Sequence, residues 1–148
     1  MKFTKFSHSC VLLEQEESVV LFDPGAFSWS EGLIQDKIAK LTRLDIVYIT
    51  HVHSDHCFVS SLKTIREKFP DVTIVTTQEA HDKLAADDIQ STTTIKDKSV
   101  SLRQTDHAHL NKTLPLFENI QVIIKNVMTH PGDSMDIESL ETPVLALP

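Results

Sequence analysis

The chain has 148 residues, with 14 basic against 21 acidic side chains and a net charge of −7. A hydrophobic share of 41% beside 24% charged residues is that of an ordinary globular protein, and the length fits one domain, residues 1–148, with room for a buried core. An acidic balance without a basic run argues against a surface built to neutralise a phosphate backbone, so no nucleic-acid partner is favoured.

No apolar stretch approaches membrane-spanning length, and the first residues, Met1-Lys2-Phe3-Thr4-Lys5, lead into polar sequence rather than the apolar core of an export signal. The two cysteines, Cys10 and Cys57, allow one disulfide at most. The expectation is reduced thiols in a cytoplasmic protein with no membrane partner.

Taken in order, residues 2–6, 11–14 and 19–22 read as three short strands of a meander, with turns at Ser7-His8-Ser9 and Gln15-Glu16-Glu17. Asp23-Pro24-Gly25 is turn sequence. Ser30 is placed to cap a helix carrying Leu33, Ile34, Ile38 and Leu41, and Phe27 and Trp29 before it are expected to pack or to line a pocket mouth. Residues 44–49 form an apolar, β-branched run typical of a buried strand. Phe58, Leu62, Ile65 and Phe69 then recur at helical spacing until Pro70 stops the pattern. Further strands are expected at 72–76, 100–103, 121–125 and 143–147, and a helix at 78–86 with His81 on its exposed side. Strands alternating with helices indicate an α/β fold.

The densest chemistry lies between the strand at 44–49 and the helix after it. Thr50-His51-Val52-His53-Ser54-Asp55-His56 holds three of the eight histidines and an aspartate. On a helix His51 and His53 would diverge, since helical neighbours are three or four residues apart. In extended or loop backbone, residues i and i+2 point the same way and can share one ion. The position, at the carboxyl end of a strand and before a helix, is one that ligand sites favour in α/β proteins. Imidazole and carboxylate donors suit zinc, iron or manganese. A tetrahedral site needs a third protein ligand beside a water, and the polar stretch Thr105-Asp106-His107-Ala108-His109 offers two candidates between which spacing does not decide.

His51, His53, Asp55 and His56 in this setting resemble the signature of the metallo-β-lactamase superfamily of metal-dependent hydrolases. The resemblance implies an α/β (α+β) fold, the αββα sandwich, with one or two divalent ions at the sheet edges. Zinc is the expected cofactor, with manganese or iron as other occupants. In the lactonase-like branch a histidine followed by alanine at a strand end supplies the third ligand, which favours His107 over His109. Asp55 and His56 would face a second ion. His130-Pro131-Gly132-Asp133-Ser134 resembles the Gly-Asp element whose carboxylate bridges the two ions, giving that role to Asp133 and a supporting one to His130. Residues 6–14 resemble the opening hairpin of the same branch, where the histidine, here His8, lies near the pocket. Asp23 matches an aspartate that braces the metal loop without binding metal. Members of the family run on past this length with further strands, a helix and a last metal-binding histidine. The expectation is therefore a C-terminally short or incomplete domain. Its second ion would have Asp55, His56, Asp133 and water, and its exposed sheet edge would invite self-association into a homo-oligomer.

The function so implied is a metal-dependent hydrolase. The ion lowers the pKa of its bound water from about 15.7 to near 7, supplying hydroxide for attack on a small ester, lactone or phosphodiester. Asp55 would orient the nucleophile and shuttle a proton. The alternative is a non-catalytic metal-binding or partner-binding module of the same fold. A redox di-iron centre fits less well, because that branch carries glutamate where this chain has His53.

Overall fold

Three antiparallel strands open the structure: β1 (Lys2–Lys5), β2 (Val11–Glu14) and β3 (Val19–Phe22). The structure, a computed structural model, describes residues 1–108, 116–136 and 142–147. From β3 the chain crosses through α1 (Ala26–Ser30) and α2 (Leu33–Lys40) into β4 (Ile46–Tyr48), then through α3 (Val59–Lys68) into β5 (Thr73–Val75), and both of these pairings are parallel. The five strands lie in sequence order across one sheet. After α4 (Gln78–Ala86), a second sheet pairs β6 (Val100–Asp106), β7 (Glu118–Ile124) and β8 (Met128–His130) antiparallel, with β9 (Val144–Leu145) parallel to β8.

Strand alternation divides the apolar residues between two cores. Leu12, Leu21, Val47 and Ile74 face the helices, where Ile34, Ile38, Leu62, Ile65, Ala80 and Leu84 cover them. Val11, Leu13, Val20, Phe22, Tyr48 and Val75 face the second sheet and meet Ile120, Val122, Ile124 and Met128. The inner strands β2, β3 and β4 are largely buried on both faces, which is why they read as nearly unbroken apolar runs, whereas the edge strand β1 is half-exposed. The layer order among the described residues is helix, sheet, sheet, an α/β fold.

Several boundaries differ from the sequence expectation for physical reasons. Ser30 ends α1 instead of capping α2: its hydroxyl donates to the Phe27 carbonyl, and the cap of α2 is Gly32, in the left-handed region at φ 77°. Leu33, expected on the buried stripe, is exposed. β6 and β7 stay paired from Val100 opposite Ile124 to Asp106 opposite Glu118, beyond the apolar pattern, because backbone pairing continues where one face is wet. His81, expected on the surface, is half-buried with Nδ1 2.8 Å from the Ser91 hydroxyl. Among the described residues no helix is long and apolar enough to cross a membrane.

The two sheets are tied where the strands end. The Ile120 N–H donates to the Thr50 carbonyl at 2.9 Å, joining β7 to the loop after β4. That loop, the turn after β3, the end of β6 and the turn after β8 meet at one edge of the sandwich.

Candidate metal centre

The loop after β4 is a series of turns, not a helix. The His53 carbonyl accepts both the His56 N–H (3.0 Å) and the Cys57 N–H (2.6 Å), which folds the chain back and sends His51 and His53 to the same side. His107, just past the end of β6, comes to meet them. The ring centroids stand 4.8 Å (His51–His53), 4.7 Å (His51–His107) and 4.8 Å (His53–His107) apart, each pair edge to face. One nitrogen from each ring lies within 4.8 Å of the others, close enough to share an ion. His109 lies outside the described residues.

Hydrogen bonds assign the tautomers. Thr50 Oγ1 donates its proton to Asp23 Oδ2 at 2.7 Å, so at 3.1 Å it accepts from His51 Nδ1–H, leaving the His51 Nε2 lone pair free. His107 Nδ1–H donates to the Ala108 carbonyl at 2.8 Å, which frees its Nε2 in the same way. His56 Nδ1–H donates to Asp23 Oδ2 at 2.7 Å and turns Nε2 into the pocket. An N–H held by a carboxylate, carbonyl or hydroxyl on the far side is how proteins orient imidazoles toward a metal.

Asp23 is the centre of that bracing. It is fully buried, and besides His56 it accepts from the Thr50 N–H (2.8 Å) and the Thr50 hydroxyl. Its backbone sits at φ 44°, as His8 does at φ 54°. Left-handed backbone costs on the order of 1–3 kcal/mol for a non-glycine residue, and these bonds hold Asp23 there. His130 is equally buried and stacks on Phe22 with centroids 5.0 Å apart. Its Nε2–H donates to the Ser9 carbonyl at 2.8 Å, and its Nδ1 accepts the Gly132 N–H at 3.4 Å. With both nitrogens engaged, it supports the site without entering it.

Asp133 stands between two groups of donors. Its Oδ2 lies 3.5 Å from His107 Nε2 and 3.9 Å from His51 Nε2, while Oδ1 lies 3.3 Å from His56 Nε2 at ion-pair distance without hydrogen-bond geometry. The Asp133 carbonyl accepts the Ala108 N–H at 2.8 Å, which pins the His107 segment to it. Gly132, at φ 59°, allows this approach, since a Cβ there would overlap the Asn119 and Thr50 side chains. Gly25 packs as tightly, and its Cβ would overlap the Asp55 carbonyl. Asn119, buried on β7, donates to Thr105 Oγ1 (2.8 Å) and the Pro131 carbonyl (2.9 Å) and accepts the Asp133 N–H (3.2 Å). Thr50 and Asn119 hold the site without being among its expected residues. Thr50 stood inside the motif, but Asn119 carried no local signal.

A second donor group is His8, Asp55 and His56, again with one atom from each within 4.8 Å of the others. His8 was expected near the pocket with no stated contact. Its Nε2 lies 3.0 Å from Asp55 Oδ2 and 3.0 Å from His56 Nε2.

Electrostatics set the protonation states. Burial is the main force on His51 and drives it down to about 3, with the nearby His56 charge acting the same way against Asp23 and Asp133. His53 and His130 are lowered too, first by burial. Burial also pushes His56 down, but Asp23 and Asp133 together lift it to about 10. Burial would raise the Asp23 carboxyl, yet the charge and hydrogen bond of His56, then His130 and His51, carry it well below the usual carboxylate range. Asp133 likewise falls to about 2, burial being outweighed by His56 and then by His51 and His107. Neutral His51 and His53 beside an anionic Asp133 are the states that cation binding requires.

The donors fit a divalent ion. Among the described residues, His51 Nε2, His107 Nε2 and Asp133 Oδ1 are buried with no hydrogen-bond partner. Each such atom costs about 1–3 kcal/mol if left unsatisfied; the two Nε2 atoms face the Asp133 Oδ2, and Oδ1 faces His56. Nitrogen and oxygen donors in this number suit zinc, iron or manganese.

Residues 2–142 match the family model described as the beta-lactamase superfamily domain. The chain belongs to the metallo-β-lactamase superfamily. It is 30% identical over 158 residues to Protein Rv0786c of Mycobacterium tuberculosis, an alignment covering 100% of this chain and 71% of that one. It is 34% identical over 82 residues to cytidine monophosphate-N-acetylneuraminic acid hydroxylase of Xenopus laevis, covering 50% of this chain and 14% of the hydroxylase. Among solved structures it is similar in fold to Igni18, a metallo hydrolase from Ignicoccus hospitalis, with a TM-score of 0.63, 20% identity, and coverage of 89% of this chain and 60% of Igni18. As a member of the metallo-β-lactamase superfamily the chain has a metallo-hydrolase fold, and both donor groups lie at the edge where its two sheets meet.

Proposed function

We propose that the protein is a metal-dependent hydrolase acting on a small ester, lactone or phosphodiester, with zinc as cofactor and manganese or iron as other occupants. The observation that carries this reading is the trio of His51, His53 and His107, with two of its Nε2 atoms buried and unpartnered. These three would hold one ion. Asp55 and His56 would hold a second, with Asp133 between them, one carboxylate oxygen toward each group. Divalent ions in such donor sets supply Lewis acidity and a hydroxide nucleophile at neutral pH.

The remaining work falls to side chains of this chain. Asp55, partly exposed beside His8, is the group placed to orient a nucleophilic water and to take up its proton. Asp23 and Thr50 keep His51 and His56 in the tautomers that face inward. Phe27 stands edge-on to His8 at 5.5 Å and Phe117 edge-on to His53 at 4.4 Å, so an aromatic ring flanks each donor group. That flanking favours a small organic substrate over a bare inorganic anion. Two buried thiols that form no disulfide agree with work in the cytoplasm.

The test is turnover of a panel of esters, lactones and phosphodiesters. Hydrolysis that a chelator abolishes and zinc or manganese restores is the expected result. A metal-loaded protein that turns over nothing on the panel contradicts the reading and supports a non-catalytic metal-binding module.

A further inference from the structure

Resting on the two-ion reading above, we infer that His8 is a ligand of the second ion, the third side chain of its set with Asp55 and His56. The family resemblance implies Asp55, His56, Asp133 and water for that ion. The geometry adds an imidazole from the first hairpin, 43 positions before His51.

Three observations carry this. First, the contacts gather three donors in one place. His8 Nε2 stands 3.0 Å from both Asp55 Oδ2 and His56 Nε2, and its ring meets the His56 ring edge to face with centroids 4.8 Å apart. The His56 Nδ1–H is committed to Asp23, so His56 presents Nε2 to His8. Two imidazole nitrogens and a carboxylate oxygen facing one another at such distances share a proton or share a cation. The donor set of two nitrogens and an oxygen suits zinc or manganese.

Second, the hairpin tip is locked in place from below. The carbonyl of Ser9, the next residue, accepts from the buried Nε2–H of His130, and Phe6 N–H bonds to the Cys10 carbonyl at 2.9 Å across the turn. His130 precedes the turn that carries Asp133, so one side chain couples the hairpin to the bridging carboxylate.

Third, the backbone at His8 lies in the left-handed region that asparagine or glycine would hold at less cost. The imidazole is kept where a turn alone would call for a different residue. Among the described residues four non-glycine residues have positive φ, and two of them, His8 and Asp23, lie in this site.

The left-handed backbone also supplies a clean variant. His8→Gly removes the imidazole from a position glycine adopts freely, so the fold is retained. The experiment strips the full chain with a chelator, reloads it with zinc, and measures bound metal by elemental analysis and by competition with a chromophoric chelator. His81→Ala serves as the control. Wild type and His81→Ala should bind two ions per chain and His8→Gly one. Cobalt substitution should show the spectrum of the more weakly held ion lost in His8→Gly, with that of the tighter ion unchanged. Two ions in His8→Gly at unchanged competition, or one ion in both wild type and His8→Gly, would overturn the assignment of His8 while leaving the His51, His53 and His107 site standing. A wild type that binds no ion would instead remove the metal reading itself, and His8 with it.

Discussion

At the scale of single residues, Asp23 is a buried carboxylate outside the candidate donor groups that sets the direction of two imidazoles. It accepts from His56 Nδ1–H and from both donors of Thr50, whose hydroxyl in turn accepts from His51. Asp23→Asn puts a donor where three donors already point. The expected loss is about 3–5 kcal/mol of stability, the usual range for breaking a buried pair, and a 10–100-fold fall in metal affinity. Urea unfolding together with chelator competition measures both, and a variant with wild-type metal affinity would show that the bracing is dispensable.

The same residues give the chelator-stripped chain a pH profile with two limbs. His51, held down near 3, takes up its proton on unfolding, where its pKa returns to about 6.5. Its contribution is therefore lost as pH falls below about 6.5. Asp23 and Asp133, both depressed, contribute above the ordinary carboxylate pKa and lose that contribution as pH falls through the acid range. His56, raised to about 10, contributes fully below about 6.5 and less as pH climbs toward 10. The stripped chain should melt highest near neutrality and at lower temperature on either side. Bound metal, which competes with protons for imidazole, should flatten the alkaline limb. A melting temperature of the stripped chain that rises without a break to pH 10 would contradict the assignment of His56.

At the scale of elements, long apolar runs were legible and short or contact-driven pieces were not. The meander, β4, α3 and α4 follow from periodicity because burial on a strand or a helical stripe leaves a repeating pattern. α1 has five residues, too few for a period, and its start is set by tertiary contact through the Ala26 N–H on the Ser54 carbonyl. The donors followed the same rule. His51, His53, Asp55 and His56 are contiguous and could be read together, and His107 was drawn in by resemblance. The contact of His8 with Asp55 depends on a hairpin docking onto a loop, and Asn119 acts through a turn on another strand. Neither leaves a local mark. The turn after β8 gives the test at this scale. Gly132→Ala should cost about 1–2 kcal/mol for the left-handed Cβ alone and more for displacing Asn119 and Thr50. An unchanged urea midpoint would mean that the turn yields more easily than its packing indicates.

For the whole molecule, the sandwich brings together strand ends that are far apart in sequence. β3 contributes Asp23, β4 the motif, β6 His107 and β8 Asp133, and the Thr50–Ile120 backbone bond fastens the two sheets at that edge. The layer order came with the family resemblance carried by the motif. Which loop side chains would touch was not legible, because that depends on register between sheets that have no local pairing. The claim beneath all of this is that imidazoles from different sheets hold one cation. The most direct measurement is the metal content of the purified chain after zinc loading, compared with His51→Ala, His107→Ala and His109→Ala. The account predicts that the tightly held ion is lost in His51→Ala and His107→Ala and kept in His109→Ala. Equal metal in all four proteins would contradict it.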